Sequence, residues 1–199
     1  MTDQYKTLRG EVRTETKVQS SRFIATALST VTIDEVERFI AETRRDFHDA
    51  THNCYAYRIG TDGTQYRSND DGEPSGSGGK PILAAIDRFG LTDVTVIVTR
   101  YFGGTKLGAR KLSRAYGDAA KNALARAEHV IRYKMAALEA SFPHSQISNV
   151  MHIVSKLGAR ILDTMYDEEV HVRLEARSSK LDHLRSSLLN QTSGNISIK

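Results

Sequence analysis

Tryptophan is absent from this 199-residue chain, and cysteine occurs once, as Cys54. A lone thiol closes no internal disulfide, which excludes the cystine framework of a small secreted domain. Proline is scarce at three residues and glycine unremarkable at 14, so collagen-like and flexible-linker sequence are excluded as well. No run approaches the roughly 20 apolar residues that a membrane span requires. The opening stretch, MTDQYKTLRGEVRTETK, alternates polar and charged residues and lacks the apolar core of a secretion signal. These absences together predict a cytoplasmic protein in a reducing compartment, without membrane association.

What is present points to a globular mixed fold. Hydrophobic residues make up 39% and charged residues 26%, and the length allows one large domain or two small ones with real cores. The net charge of +4 is a weak argument for a nucleic-acid partner, but its distribution is uneven. Between Arg100 and Arg126 seven cations (Arg100, Lys106, Arg110, Lys111, Arg114, Lys121, Arg126) face one acid, Asp118. That local excess of six leaves the remainder of the chain at net −2.

Hydrophobic periodicity predicts two strands, 11–19 and 22–29, joined by a turn at Ser20-Ser21, and then a helix capped by Thr32 with Ile33, Val36, Phe39 and Ile40 on one face. A strand over 53–59 precedes a Gly-, Ser-, Asn- and Asp-rich loop, 60–79, of a length that inside a compact domain is commonly functional. Pro81 suits the first turn of a helix ending near Arg88. VTVIVT, 94–99, reads as a buried strand feeding the loop RYFGGTK and a helix over 107–127. On that helix Arg110, Arg114 and Lys121 fall within about 40° of one another, opposite Leu112, Ala115, Tyr116, Ala119 and Ala123. After residue 132 the order becomes β-α-β-β-α-β: strand 133–142, helix 145–157, strands 160–166 and 169–177, helix 179–190, strand 196–199. This is the split βαβ, ferredoxin-like arrangement. A domain boundary is expected near 130, giving domains 1–130 and 131–199.

Three segments could carry chemistry. VIVTRYFGGTKLGARK places a glycine-rich turn at a helix start, where free N–H groups, the dipole, Arg100 and Lys106 favour an anion. Gly103 and Gly104 also serve a tight turn by geometry alone. With Tyr101, Phe102 and Tyr116 near so many cations, the pattern favours phosphate-backbone contact with base stacking. SNDDGEPSGSGGKP fails as a nucleotide-binding P-loop, because Pro74 replaces the first required glycine and Pro81 the Ser/Thr. Its Asp70, Asp71 and Glu73 have the oxygen ligands Mg²⁺ prefers, but a hydrogen-bonded turn capping the next helix is the plainer reading. His48 and His52 imitate the spacing of a zinc-binding helix, yet a strand beginning near Asn53 leaves them off one continuous helix. Cys54 reads as a buried strand residue. No cofactor and no metal is assigned.

THNCYAYR (51–58), DDGEPSGSGGKPIL (70–83) and TRYFGGTKLGARKLSRAYGDAA (99–120) resemble the signature blocks of the IMPACT/YigZ family, over about residues 20–127. The residues after 131 are similar to the second domain of its bacterial members; eukaryotic members instead place an extra domain ahead of the shared part. The resemblance implies an α+β protein of two domains. The first is of the ribosomal-protein and elongation-factor-G domain IV-like β-α-β type, the second ferredoxin-like as in that factor's domain V. It also implies a link to translation control under amino-acid starvation, a stress response, with RNA, the ribosome or a protein regulator as partner. The family pattern falls on His52, Asn53, Asp70, Asp71, Gly72, Glu73, Pro74, Arg100, Tyr101, Phe102, Gly103, Gly104 and Tyr116. One departure stands out: where the family reads LGAGGL this chain has LGARKL, so Arg110 and Lys111 replace two glycines.

The leading expectation is a non-enzymatic RNA or ribosome binder. Arg100, Lys106, Arg110, Lys111, Arg114 and Lys121 would touch phosphates, and Tyr101 or Phe102 would stack on bases. The first alternative is a metal-dependent hydrolase of a phosphorylated substrate, with Asp70, Asp71 and Glu73 on the ion and His52 as acid or base. The second is a protein-interaction module using the same surface.

Overall fold

The computed structural model describes residues 3–199 and divides them into two compact units, Tyr5–Arg132 and Tyr133–Lys199, with Asp3 and Gln4 grouped with the latter. The first unit is built on a five-stranded antiparallel sheet. In chain order its elements are β1 (Gln4–Leu8), β2 (Val12–Val18), β3 (Ser21–Ser29), α1 (Ile33–Asp46), β4 (His52–Ile59), β5 (Gln65–Asn69), α2 (Gly79–Phe89), β6 (Val94–Tyr101), α3 (Ala109–Arg126) and β7 (His129–Tyr133). The sheet runs β2-β3-β6-β4-β5, while β1 and β7 pair separately as a two-stranded sheet.

The central strand, VTVIVTRY, is buried over its first seven residues, because helices cover the sheet on both faces. Its Val, Ile and Thr side chains are β-branched, which suits a pleated surface packed on both sides. On one face Phe23, Ala25, Ala27, Cys54, Ala56, Val94, Val96 and Val98 pack against Ile82, Ala85 and Ile86 of α2 and Leu112, Ala115, Tyr116, Ala119 and Ala123 of α3. The small alanines let α3 approach the sheet closely. On the other face Phe39 of α1 meets Tyr55 and Ile97. The cap of α1 forms as the sequence predicts: Thr32 Oγ1 accepts from the Glu35 amide at 3.2 Å, and the Glu35 carboxylate accepts from the Val31 amide at 2.7 Å. Such an N-cap contributes about 1 kcal/mol.

Two differences from the sequence reading matter for the site. The 60–79 segment is not all loop, since β5, QYRSN, forms an edge strand against β4; its polar composition hides the alternation that would mark it. And β6 extends through Arg100 and Tyr101, because Phe23 of β3 and His52 of β4 both stand opposite Arg100 in the ladder. Arg100 therefore belongs to the sheet and not to the loop.

The second unit has β8 (Met135–Phe142), α4 (Ile147–Leu157), β9 (Arg160–Tyr166), β10 (Val170–Arg177), α5 (Leu181–Gln191) and β11 (Ser197–Ile198). Its antiparallel sheet runs β11-β8-β10-β9, the ferredoxin-like order expected from the pattern. Leu138, Ala140, Phe142, Val170, Val172 and Leu174 pack beneath Val150, Ile153 and Val154 of α4 and Leu184 and Leu188 of α5. No helix among the described residues is long and apolar enough to cross a membrane.

Candidate functional site

Alternation along β6 puts Arg100 on the same face as Val94, Val96 and Val98, so its guanidinium enters the α3 side of the sheet. There it is 5% exposed. Its Nη1 donates to Glu73 Oε1 at 2.6 Å and its Nη2 to Ser21 Oγ at 3.3 Å, while Nε has no partner among the described residues. Phe23 and Phe102 lie 5.5 and 5.4 Å from the guanidinium carbon. The fully buried Tyr116 of α3 donates its hydroxyl to the same Glu73 Oε1 at 2.8 Å. Burial, then Cys54 and Glu73, pushes the Tyr116 hydroxyl far above its ordinary range, so it stays a donor. The arrangement is a buried ion pair whose remaining lone pairs and protons are largely met by neighbours, the condition under which such a pair tolerates its desolvation cost.

Glu73 is delivered by the 70–79 loop, which a set of further hydrogen bonds fixes. Asp70 accepts the amides of Gly76, Gly78 and Gly79 at 2.8, 2.9 and 2.9 Å. Burial raises its pKa, but those three amides together with Lys80 outweigh it and hold the carboxyl below its ordinary value. Asp71 adopts φ 45° and accepts from the Asn53 amide at 2.7 Å and from Arg44 at 2.5 Å. His52 Nδ1 lies 2.8 Å from the Asp71 carbonyl, which can only accept, so Nδ1 carries the proton and Nε2 faces Glu73 Oε2 at 3.8 Å. The Cys54 thiol donates to the Asp70 carbonyl at 3.0 Å, and burial pushes it up to about 12. A side chain at Gly78 would strike the Cys54 sulfur, which is why glycine stands there.

The carboxylates of Asp70, Asp71 and Glu73 thus point to three different sets of partners and do not converge. No group of three or more His, Cys, Asp or Glu able to hold a metal occurs among the described residues. Among the described residues the three carboxylates are thus not gathered at one point, as a site holding a single ion with all three would need. His48 and His52 are likewise separated, one in the turn after α1 and the other in β4.

The exposed chemistry lies just beyond this network. The Phe102 amide donates to Thr51 Oγ1 at 3.1 Å, and Gly103 lies so close to the Ser20 carbonyl that no Cβ fits. Phe102 is pinned on both sides yet 45% exposed. The chain then turns through Gly104 and Gly108, both at positive φ, into α3. Gly108 supplies no side-chain cap, and the first turn contains no acid. It contains Arg110 and Lys111 instead, which with Lys106 and Arg114 are exposed. Arg114 reaches Asp118 at 3.4 Å, and Lys121 reaches the same carboxylate at 3.1 Å.

Of the expected phosphate contacts, Lys106, Arg110, Lys111 and Arg114 are therefore presented together at one end of α3. Arg100 is not, because the sheet ladder turns it inward to Glu73. Lys121 is half-buried and ion-paired. The Tyr101 hydroxyl is given to Asp49 at 2.7 Å, with Arg22 5.1 Å above the ring. Arg44 and Ser21 had no signal in the sequence, since each reaches the site from a distant element without a local pattern, whereas Thr51 opens the THNCYAYR block. The Arg110-Lys111 departure closes no cleft, because both side chains stand in solvent.

The family model described as the Impact N-terminal domain matches residues 19–124. The IMPACT family member YvyE of Bacillus subtilis is 31% identical over 199 residues, covering all of this chain and 92% of that protein. Protein IMPACT of Rattus norvegicus is 37% identical over 93 residues, 44% of this chain and 29% of that protein. Among solved structures, one titled as a hypothetical protein superposes with a TM-score of 0.79 at 25% identity, covering 100% of this chain and 97% of that one.

Proposed function

We propose, from the premise that this chain belongs to the IMPACT family, that it is a cytoplasmic binder of RNA on the translation machinery, acting by contact and not by catalysis. The observation that carries this reading is the cationic start of α3. Helix first turns ordinarily favour Asp and Glu, because the dipole leaves partial positive charge there; a cation costs about 0.3–1 kcal/mol. Here Arg110 and Lys111 occupy an uncapped first turn, preceded by Lys106 and followed by Arg114. A helix start that keeps Arg110 and Lys111 in a first turn without a side-chain cap, with Lys106 and Arg114 on either side, suits a polyanion whose phosphates offset both costs. Phe102 offers a ring on which an unpaired base stacks. In this reading the two compact units act as separate domains, and the first carries the interface.

Contact of four cations with single-stranded phosphates gives a slope of log affinity against log salt of about −3. Binding to bulk RNA and co-sedimentation with ribosomes across a salt series test this. The Arg110→Ala, Lys111→Ala, Arg114→Ala variant is expected to lose most of the affinity and most of the slope. Salt-insensitive binding, or a triple variant that binds like wild type, overturns the reading. Association with ribosomes that survives complete nuclease treatment points instead to a protein partner.

A further inference from the structure

The two larger sheets end in four edge strands, and three of them are guarded. β2 alternates Arg13, Glu15 and Lys17 along its seven residues, β5 is a polar strand of five, and β11 is two residues long. Charged, polar or short edges are how a sheet avoids recruiting another strand. β9 is built differently. Its outer edge pairs with no strand among the described residues. None of its seven residues, RILDTMY, is buried, neither Lys nor Pro interrupts them, and beside its two charges, Arg160 and Asp163, it presents large apolar side chains. Ile161, Leu162, Met165 and Tyr166 are 43%, 44%, 61% and 67% exposed.

We propose that β9 is the association surface for a second copy of this chain, which adds its own β9 antiparallel across a twofold axis. The sheet restricts the register. Asp163 stands opposite Arg173 and Ile161 opposite Leu174, so Leu162 is an extra, bulged residue. Arg160, Asp163 and Met165 consequently share the open face, whereas Ile161, Thr164 and Tyr166 share the face bearing the helices. A twofold axis normal to the sheet pairs only residues of one face. Centring it on Thr164 sets Ile161 against Tyr166 of the second copy and, at the strand end, Arg160 against its Asp167. The neighbouring permitted registers put Asp163 against itself or against Asp167, pairing like charges at the centre of the contact.

Both members of the favoured pair are available. Arg160 is 75% exposed, and its one acidic neighbour, Glu175, is 3.8 Å away. Asp167 opens the exposed acidic turn Asp167-Glu168-Glu169, where its Oδ1 accepts the Glu168 amide at 2.9 Å and the carboxylate stays in solvent. Symmetry makes the Arg160–Asp167 contact twice.

Sedimentation of the full chain from low micromolar to sub-millimolar concentration tests the proposal. A concentration-dependent dimer is expected. Arg160→Asp or Asp167→Arg alone should raise the dissociation constant by about tenfold, since each replaces two attractive contacts with repulsive ones. The reciprocal double variant should restore it. Both positions are exposed, and far-UV circular dichroism checks that the fold is kept. Monomer mass at every concentration overturns the proposal, as does a folded double variant that stays as weak as the single ones.

Discussion

Replacing Glu73 by Gln removes the carboxylate that faces Arg100 while leaving its shape nearly unchanged. The side chains of the pair are 4% and 6% exposed, so the guanidinium left behind has little water to turn to. Breaking a buried pair from one side costs about 3–5 kcal/mol, most of it the desolvated charge that remains. Gln keeps a carbonyl oxygen for the Tyr116 hydroxyl, and Ser21 still accepts from Arg100 at 3.3 Å, which places the expected loss near the lower end, about 3 kcal/mol. Against a stability of about 5–15 kcal/mol that is a large fraction. Urea unfolding followed by tyrosine fluorescence is a suitable assay: the chain has no tryptophan, and of its eight tyrosines all but Tyr133 and Tyr166 belong to the first unit. Circular dichroism reports both units, and any transition of the second should stay in place. The reasoning is refuted by a loss under about 1 kcal/mol, or by a Glu73→Leu, Arg100→Met double variant less stable than either single one. Removing both charges together should recover most of what one removal costs.

Two further outcomes follow from the loop that carries Glu73. The Asp70 carboxyl is held below its ordinary value of 3.8; a depressed carboxyl contributes stability that is complete above the unfolded value and is lost as pH falls through the folded one. Thermal melts should therefore decline below about pH 4 in wild type, and an Asp70→Ala variant should be less stable at neutral pH with a flatter acid limb. An unchanged acid limb would count against the three-amide anchor. The Cys54 thiol, pushed up to about 12 and buried, should react with an aromatic disulfide reagent at pH 8 only at the rate of unfolding; rapid native labelling would contradict its burial.

Much of this architecture is legible in the sequence because it rests on local signals. The β2–β3 hairpin, the Thr32 cap, the apolar run of β6 and the periodicities of the second unit each lie within a dozen residues. β5 was hidden by its polar composition and its edge position, and β1 by a partner, β7, more than a hundred residues away. Arg100 shows the same limit at the level of a single side chain. Beside RYFGG and several cations it reads as one more surface charge, and only the ladder register with Phe23 and His52, together with Glu73 arriving from 27 residues upstream, turns it into a core residue.

The blocks that mark the family and the residues proposed to touch RNA therefore divide the work by depth. THNC, DDGEPSG and RYFGG meet around the buried Glu73 and Arg100, where these two with His52, Asp70, Asp71 and Tyr116 lock one loop, three strand ends and α3 into a single polar network. Nearly every side chain in it is already committed to another, so its replacements are expected to register as stability. The first turn of α3 is fixed in place by that network but takes no part in it, and its residues stand in solvent. Exchanging two glycines for Arg110 and Lys111 there disturbs no packing, while it adds charge at the helix end that favours anions. Substitutions along this turn should therefore change affinity and its salt dependence with little change in melting temperature, the reverse of what Glu73 and Arg100 should show. If alanine at Arg110 and Lys111 were to lower stability as Glu73→Gln does while leaving RNA affinity intact, the division would fail, and with it the reason for placing the interface on α3.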